Sequence, residues 1–335
     1  MKNNFIHLHL HSEYSISDSL IRVNDLINKV SDIEAPSVSI TDHNNIFSLV
    51  KFYKSAIKKG VKPIIGIEID LKDSENSNEC FRVVLLCKNM IGFKNLSNLI
   101  TNSYVNLDND NKFIVLKSDL AKKSDGLIAL SGSIYGDLAN SIKSGKNDLI
   151  KSSINYWKKN FPDSFYIEIT RTGKDFEDEY ISHALEISQK HNVPLVATND
   201  VRFIDKKDYQ AHEVRVCINN GTYLKDEKRK SEYNDNQYLK SSQEMENLFS
   251  DIPSAIENTL EIAKRCNVQL TFGDIAMPIF PLDDNQDENV YFRSLVTQSL
   301  KKKLSDKNIK NKEPYIKRIK IELDVIVKMG YSGYF

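Results

Sequence analysis

Short apolar runs alternate with amphipathic stretches over the first two hundred residues. The apolar runs predict strands at 5–9, 37–40, 63–67, 81–87, 127–130, 165–169 and 195–197. Most of them are followed by apolar positions at helical spacing, as at 46–59 and from about Leu20. Because the runs are continuously apolar, we expect strands covered on both faces, as in a parallel β/α fold. Their number favours a closed, TIM-like (β/α)7 barrel over a doubly wound sheet, although the pattern is compatible with both.

Beyond Asp200 the pattern becomes mostly helical and strands largely stop. Ser241 and Glu244 form a capping-box signature at the start of one helix, and a second helix is predicted over 253–266. Prolines and acids between 273 and 288 indicate a linker. The sequence therefore predicts two domains, 1–270 and 271–335.

The second predicted domain contains helices at 290–304 and 315–329, the latter closed by Gly330. An aromatic pair, Tyr334 and Phe335, follows the helix end almost at once. A domain rarely stops on uncovered aromatic residues directly after a helix cap, so we expect the chain to be cut inside its second domain.

Net charge, cysteine spacing and the lengths of the apolar runs bear on the compartment of the protein and on its attraction to polyanions. Lys and Arg total 46 against 46 Asp and Glu, so the chain has no overall positive field that would attract a polyanion. The four cysteines contain no Cys-x-x-Cys pair, which fits free thiols in a reducing cytoplasm. No apolar run approaches the ~20 residues of a membrane span, and no signal peptide is visible near the start. These features predict a cytoplasmic protein without a membrane anchor.

His9 and His11 lie two residues apart at the end of the first predicted strand. Side chains at this spacing point the same way, so the pair could hold one metal ion. Histidines are common in cores and on surfaces, and the pair alone does not define a site. Further polar residues follow or end the neighbouring strands, namely Asp18, Asp42, His43, Glu68, Asn199 and Asp200. In a parallel barrel such ends meet at one mouth, although a helix N-cap or a solvated loop position is a plausible explanation for Asp42 alone and the better explanation for Asp18.

Imidazole and carboxylate ligands together suit Zn, Mn or Fe, which can polarise a phosphoester and activate water. An intact site of this kind would hydrolyse phosphoesters. The sequence shows no Walker-type phosphate loop, and no Ser-His-Asp arrangement stands out.

Four segments resemble successive metal motifs of the polymerase and histidinol phosphatase (PHP) superfamily: residues 9–12, 41–43, 66–68 and 197–200. The resemblance implies a distorted barrel of about seven strands with up to three metals. Six residues match its ligand positions: His9, His11, Asp18, His43, Glu68 and Asp200.

Other segments resemble the alpha subunits of bacterial replicative (C-family) DNA polymerases, the DNA polymerase III type. They lie at 49–53, 130–132, 197–203, 211–213 and 262–268. A PHP phosphatase that is not part of a polymerase would not be expected to share them. The resemblance covers essentially the whole chain. It implies a PHP domain to about 270 and the beginning of the polymerase palm after it.

Three residues depart from the metal motifs. Arg82 and Arg202 stand where the pattern has histidines, and Ser133 where it has a histidine or cysteine. Arginine carries only donors and stays protonated, so it cannot be a metal ligand. We expect an incomplete site with at most one weakly bound Zn or Mn, in which Arg82 and Arg202 supply positive charge in place of metal.

Two functions remain open at this point. The first is a structural and interaction PHP domain within a replicative polymerase, contacting the proofreading exonuclease subunit, other replicase subunits and, through the full-length subunit, primer-template DNA. The alternative is a freestanding metal-dependent phosphoesterase or 3'-5' exonuclease. The resemblance places the Mg-dependent nucleotidyl-transfer centre downstream of Phe335, so this chain is expected to contain no catalytic residue for polymerisation.

Overall fold

The chain folds into two compact units, residues 1–269 and 270–335. The structure is a computed structural model, and it describes residues 5–75, 77, 79–108, 112–226, 229, 231–274, 278–283 and 286–335. Part of the linker predicted over 273–288 lies outside these residues.

A curled mixed sheet forms the centre of the first unit. Its strands are β1 (Ser37–Ile40), β2 (Lys62–Lys72), β3 (Phe81–Cys87), β4 (Val115–Leu116), β5 (Leu127–Leu130), β6 (Phe165–Thr170) and β7 (Leu195–Thr198). The strand order is β1-β2-β3-β5-β6-β7, with β4 paired to β2. Helices surround the sheet, so the predicted α/β class is confirmed.

Among the described residues of this unit there are ten α-helices. They are α1 (Val23–Asp32), α2 (Leu49–Lys58), α3 (Met90–Val105), α4 (Lys117–Lys122), α5 (Asp137–Lys143), α6 (Asn147–Asn160), α7 (Glu177–His191), α8 (Tyr209–Asn220), α9 (Ser242–Leu248) and α10 (Pro253–Arg265). The predicted capping box is present before α9, where Ser241 and Glu244 each accept the other's backbone N–H.

The expectation of an all-parallel sheet is wrong at one strand. β3 runs antiparallel to both of its neighbours, β2 and β5, while the other described pairs are parallel. An apolar run shows that a strand is buried and carries no information about its direction. The reversal matters for the site, because it brings the first residues of β3 to the edge where the parallel strands end.

Residues 5–9, predicted as a strand, have no regular strand structure but join the two edges of the sheet. The backbone N–H of Ser39 in β1 donates to His7 O, and that of Thr41 donates to Leu10 O. On the other side, His11 N donates to Val201 O at 2.9 Å, just after β7. The N-terminal segment therefore lies between the first and last strands.

Inside the sheet, apolar side chains form a closed core. It contains Ile6, Leu8, Ile64, Val84, Leu86, Ile128, Leu130, Tyr166 and Val196, with Ile262, Ala263 and Cys266 from the α10 end of the unit. Burial of such a cluster supplies the main stabilisation of the fold. On the same faces of the strands, two or four residues further along, the side chains become polar.

The second unit contains α11 (Glu288–Asp306) and α12 (Glu313–Lys328), which form a helical hairpin. Arg293 on α11 donates to Asp324 on α12 at 2.8 Å. Gly330 follows α12 with a φ of 70°, the left-handed conformation expected of a glycine that ends a helix. Within the part of the chain that the structure describes, no helix is long and apolar enough to cross a bilayer.

Candidate functional site: a cation-filled metal centre

The polar side chains meet at one mouth of the sheet because every second residue of a strand points to the same face. On β2, Ile64 lies in the core, and Glu68 and Asp70 follow on the same face. Glu68 was predicted to end this strand, but β2 continues to Lys72. On the antiparallel β3 the order is reversed, so Arg82 precedes the core residue Val84 and lies directly opposite Asp70.

His9, His11 and Glu68 form the centre of this mouth. His9 Nε2 lies 3.2 Å from His11 Nε2 and 3.4 Å from Glu68 Oε1. All three side chains are buried, and each can offer one ligand atom, the three atoms lying within 4.8 Å of one another. Among the described residues no other group of this kind occurs.

Asp200 reaches the same centre but is bound by an arginine. Its Oδ1 lies 3.7 Å from Nε2 of both His9 and His11. Arg202 Nε donates to this oxygen at 2.8 Å, and Arg202 Nη2 lies 2.7 Å from it. Gln237 Nε2 donates to the other oxygen at 2.8 Å.

Arg202 is among the largest fully buried side chains, with 1% exposure. Its Nη2 lies 4.0 Å from Glu68 Oε2, and its Nη1 lies 3.6 Å from Asp18 Oδ2 without a hydrogen-bond partner in the described structure. Burial acts to lower the pKa of Arg202, but Asp200 and the other nearby charges outweigh it and raise that pKa above its usual range. The guanidinium is therefore a permanent cation held among three carboxylates.

Arg82 is the second arginine at the mouth. Its Nη1 lies 3.5 Å from Glu68 Oε2, and its guanidinium stacks over the Tyr135 ring at 5.5 Å. The charge of Glu68 raises the pKa of Arg82 above its usual range. In turn, although burial acts to raise the pKa of Glu68, the positive charge of Arg82 and the contacts of His9 hold it well below the usual value.

His43 lies between two carboxylates at the edge of the mouth. Its Nε2 is 3.1 Å from Asp70 Oδ1, and its Nδ1 is 3.7 Å from Asp18 Oδ2. Burial acts to lower the pKa of His43, but the hydrogen bond to Asp70 and the nearby acids raise it. An acid faces each ring nitrogen, and this arrangement favours the protonated form of the imidazole.

His9 has a carboxylate partner that the sequence reasoning missed. Glu168, in the middle of β6, lies 2.8 Å from His9 Nδ1 and also accepts hydrogen bonds from Thr198 Oγ1 and Gly132 N. Burial acts to lower the pKa of His9, but Glu168, Glu68 and Asp200 together raise it to about 10. The available signal was a glutamate inside a continuously apolar run. For His11, by contrast, burial and then Arg202 hold the pKa well below its usual value.

Lys174 is a further cation that the sequence reasoning did not identify. Its Nζ lies 3.7 Å from Asp200 Oδ2 and donates to Tyr135 Oη at 3.0 Å. It also lies over the Tyr135 and Tyr233 rings at 5.1 and 5.5 Å. Together with Arg82 and Arg202, these side chains line a cavity of about 440 Å³ at the mouth.

Two residues from the sequence motifs have other contacts. Ser133 Oγ hydrogen bonds with Thr170 Oγ1 at 2.9 Å, so this serine joins a hydroxyl network at the mouth. Asp42 accepts hydrogen bonds from Ser12 N and from the hydroxyls of Ser12, Ser15 and Ser48. These contacts hold the loop that carries His43 and leave Asp42 fully buried.

Acidic and basic side chains lie side by side at the mouth. The carboxylates are Asp18, Glu68, Asp70, Glu168 and Asp200, and the basic side chains beside them are His9, His43, Arg82, Lys174 and Arg202. A buried acid cluster without nearby positive charge would be strongly destabilising. The guanidinium groups of Arg82 and Arg202 and the ammonium group of Lys174 lie close enough to these acids to provide such charge.

The donor set fits one divalent ion. Two imidazoles and a carboxylate, from His9, His11 and Glu68, are the ligands that Zn and Mn accept. A fourth ligand from Asp200 would have to leave Arg202, and arginine cannot coordinate metal at the two positions where the motif has histidine. The residues present therefore do not fit a complete trinuclear cluster.

Comparison with known proteins agrees with this architecture. Residues 7–172 match the PHP domain family. The chain is 40% identical to the DNA polymerase III subunit alpha of Pseudomonas fluorescens, over 100% of this chain and 29% of that protein. It is 37% identical to the same subunit of Escherichia coli (strain K12), over 99% of this chain and 29% of that protein.

Among solved structures, a putative metal-dependent phosphoesterase from Bifidobacterium adolescentis is similar with a TM-score of 0.38 and 10% identity. The match covers 58% of this chain and 86% of that one. A likeness this distant adds nothing to the assignment. The chain spans less than a third of the length of its curated relatives, and its similarity to them runs from end to end. It belongs to the DNA polymerase III alpha subunit family and carries that family's PHP domain.

Proposed function

We propose that this chain is the N-terminal part of the catalytic alpha subunit of a bacterial replicative DNA polymerase. In this proposal residues 1–270 are a structural and interaction PHP domain, and residues 271–335 begin the polymerase palm. The similarity to alpha subunits over the whole chain supports the family context. The charged side chains at the mouth of the sheet support the role proposed for the PHP domain.

One observation carries the structural role: the buried guanidinium of Arg202 binds Asp200 and faces Glu68. Positive charge that a hydrolytic site would take from metal ions is supplied there by a side chain that cannot activate water as a metal does. The site is therefore built to stabilise the mouth, and not to hydrolyse phosphoesters.

His9, His11 and Glu68 would hold a single divalent ion, Zn or Mn, weakly. Such an ion supplies Lewis-acid chemistry when bound. One group opposes its binding: the guanidinium of Arg202, which binds Asp200 and approaches Glu68, repels a nearby dication.

The proposed context implies partners and a compartment. We infer contacts with the proofreading exonuclease subunit and other replicase subunits, with primer-template DNA bound by the full-length subunit, in the cytoplasm. The nucleotidyl-transfer centre, with its Mg ions, would lie in sequence beyond Phe335.

The second candidate is a metal-dependent PHP phosphoesterase or 3'-5' exonuclease. The observation that favours it is the close grouping of His9, His11 and Glu68, which is the arrangement a metal needs. The two candidates make opposite predictions about metal content.

Metal analysis of the untagged, dialysed chain separates them. We expect fewer than two divalent ions per chain and no phosphoesterase activity that His9→Ala removes. Two or more tightly bound ions, with activity abolished by His9→Ala, would establish the hydrolase instead.

A primer-extension assay tests the domain assignment. The chain alone should not extend a primed template in the presence of Mg and deoxynucleotides, because the residues resembling the nucleotidyl-transfer centre are absent from its sequence. Mg-dependent extension by the purified 335-residue chain would contradict the assignment.

A further inference from the structure

The strongest charge asymmetry of the chain lies in the second unit. Residues 301–320 hold nine Lys and Arg but two acids, an excess of seven positive charges in a chain that is neutral overall. They form the end of α11, the connection and the start of α12. At physiological salt, charges interact over about 8 Å, so a partner senses this local excess and not the neutral total.

The two helices place part of this charge around a groove. The groove has a volume of about 430 Å³, and its floor consists of Leu300, Leu304, Ile316, Ile319 and Leu323. These residues recur at helical spacings of three and four on α11 and α12. Four cations line the same groove: Arg293, Lys301, Lys312 and Lys320.

The three lysines that line the groove, Lys301, Lys312 and Lys320, are available to a partner. All three are exposed, and none has a carboxylate within 4.0 Å among the residues that the structure describes. Arg293, in contrast, is paired with Asp324. The floor is also partly open, since Ile316 is 54% exposed.

We propose that this α11–α12 groove binds an acidic amphipathic helix of a partner protein. An apolar floor between cationic rims matches a helix with apolar anchors on one face and acids beside them. Nucleic acid is the other polyanion to consider. It binds through phosphates and through bases stacked on aromatic rings, and it would gain little from a floor of five aliphatic side chains.

The test uses the full chain and a synthetic probe. The probe is a fluorescein-labelled helical peptide with Leu at positions i, i+3, i+4 and i+7, Glu at the positions that flank this apolar face and Ala elsewhere. Fluorescence anisotropy should show saturable binding that weakens with added salt. The variant Lys301→Gln/Lys312→Gln/Lys320→Gln should bind the peptide about tenfold more weakly.

A matched variant controls for net charge. Lys302→Gln/Lys307→Gln/Lys310→Gln removes the same charge from the same hairpin without touching the groove lining, and it should bind nearly as well as the wild type. Ile316→Ser should also weaken binding while leaving the helical circular-dichroism spectrum unchanged, because this side chain is half exposed.

Four outcomes would overturn the proposal. The first is no saturable binding, and the second is equal loss in both triple-lysine variants. The third is equal binding of a peptide with the same composition but its leucines spread around the helix. The fourth is displacement of the probe by a mixed-sequence DNA duplex at equal concentration. The last result would assign the groove to nucleic acid. None of these outcomes depends on the PHP site or on polymerase activity, so the proposed function stands or falls separately.

Discussion

In the PHP-like motif to which the sequence is similar, a histidine would stand at the position of Arg202, and the contacts of Arg202 define what its guanidinium does there. The guanidinium binds Asp200 with two of its nitrogens and approaches Glu68 and Asp18. Arg202→His would remove this buried cation and leave the carboxylates less compensated. Without added metal we expect a loss of about 3 kcal/mol in the free energy of unfolding, the usual cost of breaking a buried charge pair.

The same variant should gain metal affinity, because the new imidazole can coordinate and the guanidinium no longer repels a dication. Urea unfolding with and without Zn or Mn would measure both effects. Arg318→His, on the exposed face of α12, is the matched control and should change neither. A variant as stable as the wild type in the presence of chelator would show that Arg202 does not replace a metal.

Sequence reasoning located residues that end or follow strands, because parallel strands bring such positions together. The resemblance to the PHP motifs then selected six residues, which the structure places at one mouth: His9, His11, Asp18, His43, Glu68 and Asp200. It missed Asp70, Glu168 and Lys174. Glu168 lay within an apolar run, Asp70 lay beyond the predicted end of β2, and Lys174 lies in a loop whose path depends on tertiary contacts.

At the level of elements, apolar runs predicted most strands to within a few residues, since continuous burial marks them directly. β2 is longer than predicted, and the two-residue β4 was missed. The direction of β3 could not be read from its composition, because a buried strand has the same apolar faces in either orientation. Direction is set by the connections and by the pairing of β3 with β2 and β5.

Gly132, two residues after β5, lies against the backbone of Arg82 in β3 at the mouth and offers a test of this close approach. It has a φ of 77°, and a Cβ there would lie 2.0 Å from the backbone oxygen of Arg82. Its N–H also donates to Glu168 at 3.1 Å. Gly132→Ala should therefore combine the backbone strain of a left-handed residue with a clash, and we expect a loss of about 3 kcal/mol or more.

Gly145→Ala is the control for the strain that a left-handed backbone conformation causes in alanine. Gly145 has a similar φ of 66°, but a Cβ there would meet no atom within 4 Å. This substitution should cost about 1 kcal/mol, the strain alone. If urea unfolding showed equal losses in the free energy of unfolding for the two variants, the close approach of β3 to Gly132 would have no effect on the stability of the Gly132→Ala variant.

For the whole molecule, the internal cations predict that stability does not depend on metal. Dialysis against a chelator should leave the thermal midpoint of the first unit nearly unchanged, because the acids of the mouth keep their positive partners. A metal-built PHP site would lose much of its stability under the same treatment. Thermal unfolding followed by circular dichroism, before and after chelation and after return of Zn or Mn, would measure the difference. A large, metal-reversible fall in the midpoint would contradict the exchange of metal for side-chain charge.

The N-terminal segment, which lies between β1 and the residues after β7, has a consequence for biosynthesis. It leaves the ribosome before the rest of its unit, yet its partners on one side lie late in that unit: His11 bonds to Val201, His7 to Lys240 and Ile6 to Thr259. Such contacts between distant positions slow folding, since a long loop must close before they form. The side that faces β1 can pair early, but the other side must stay unpaired until α10 has emerged. Chaperones that shield exposed apolar segments would be needed longest here, and a ribosome stalled before residue 200 would present an open sheet edge prone to aggregation.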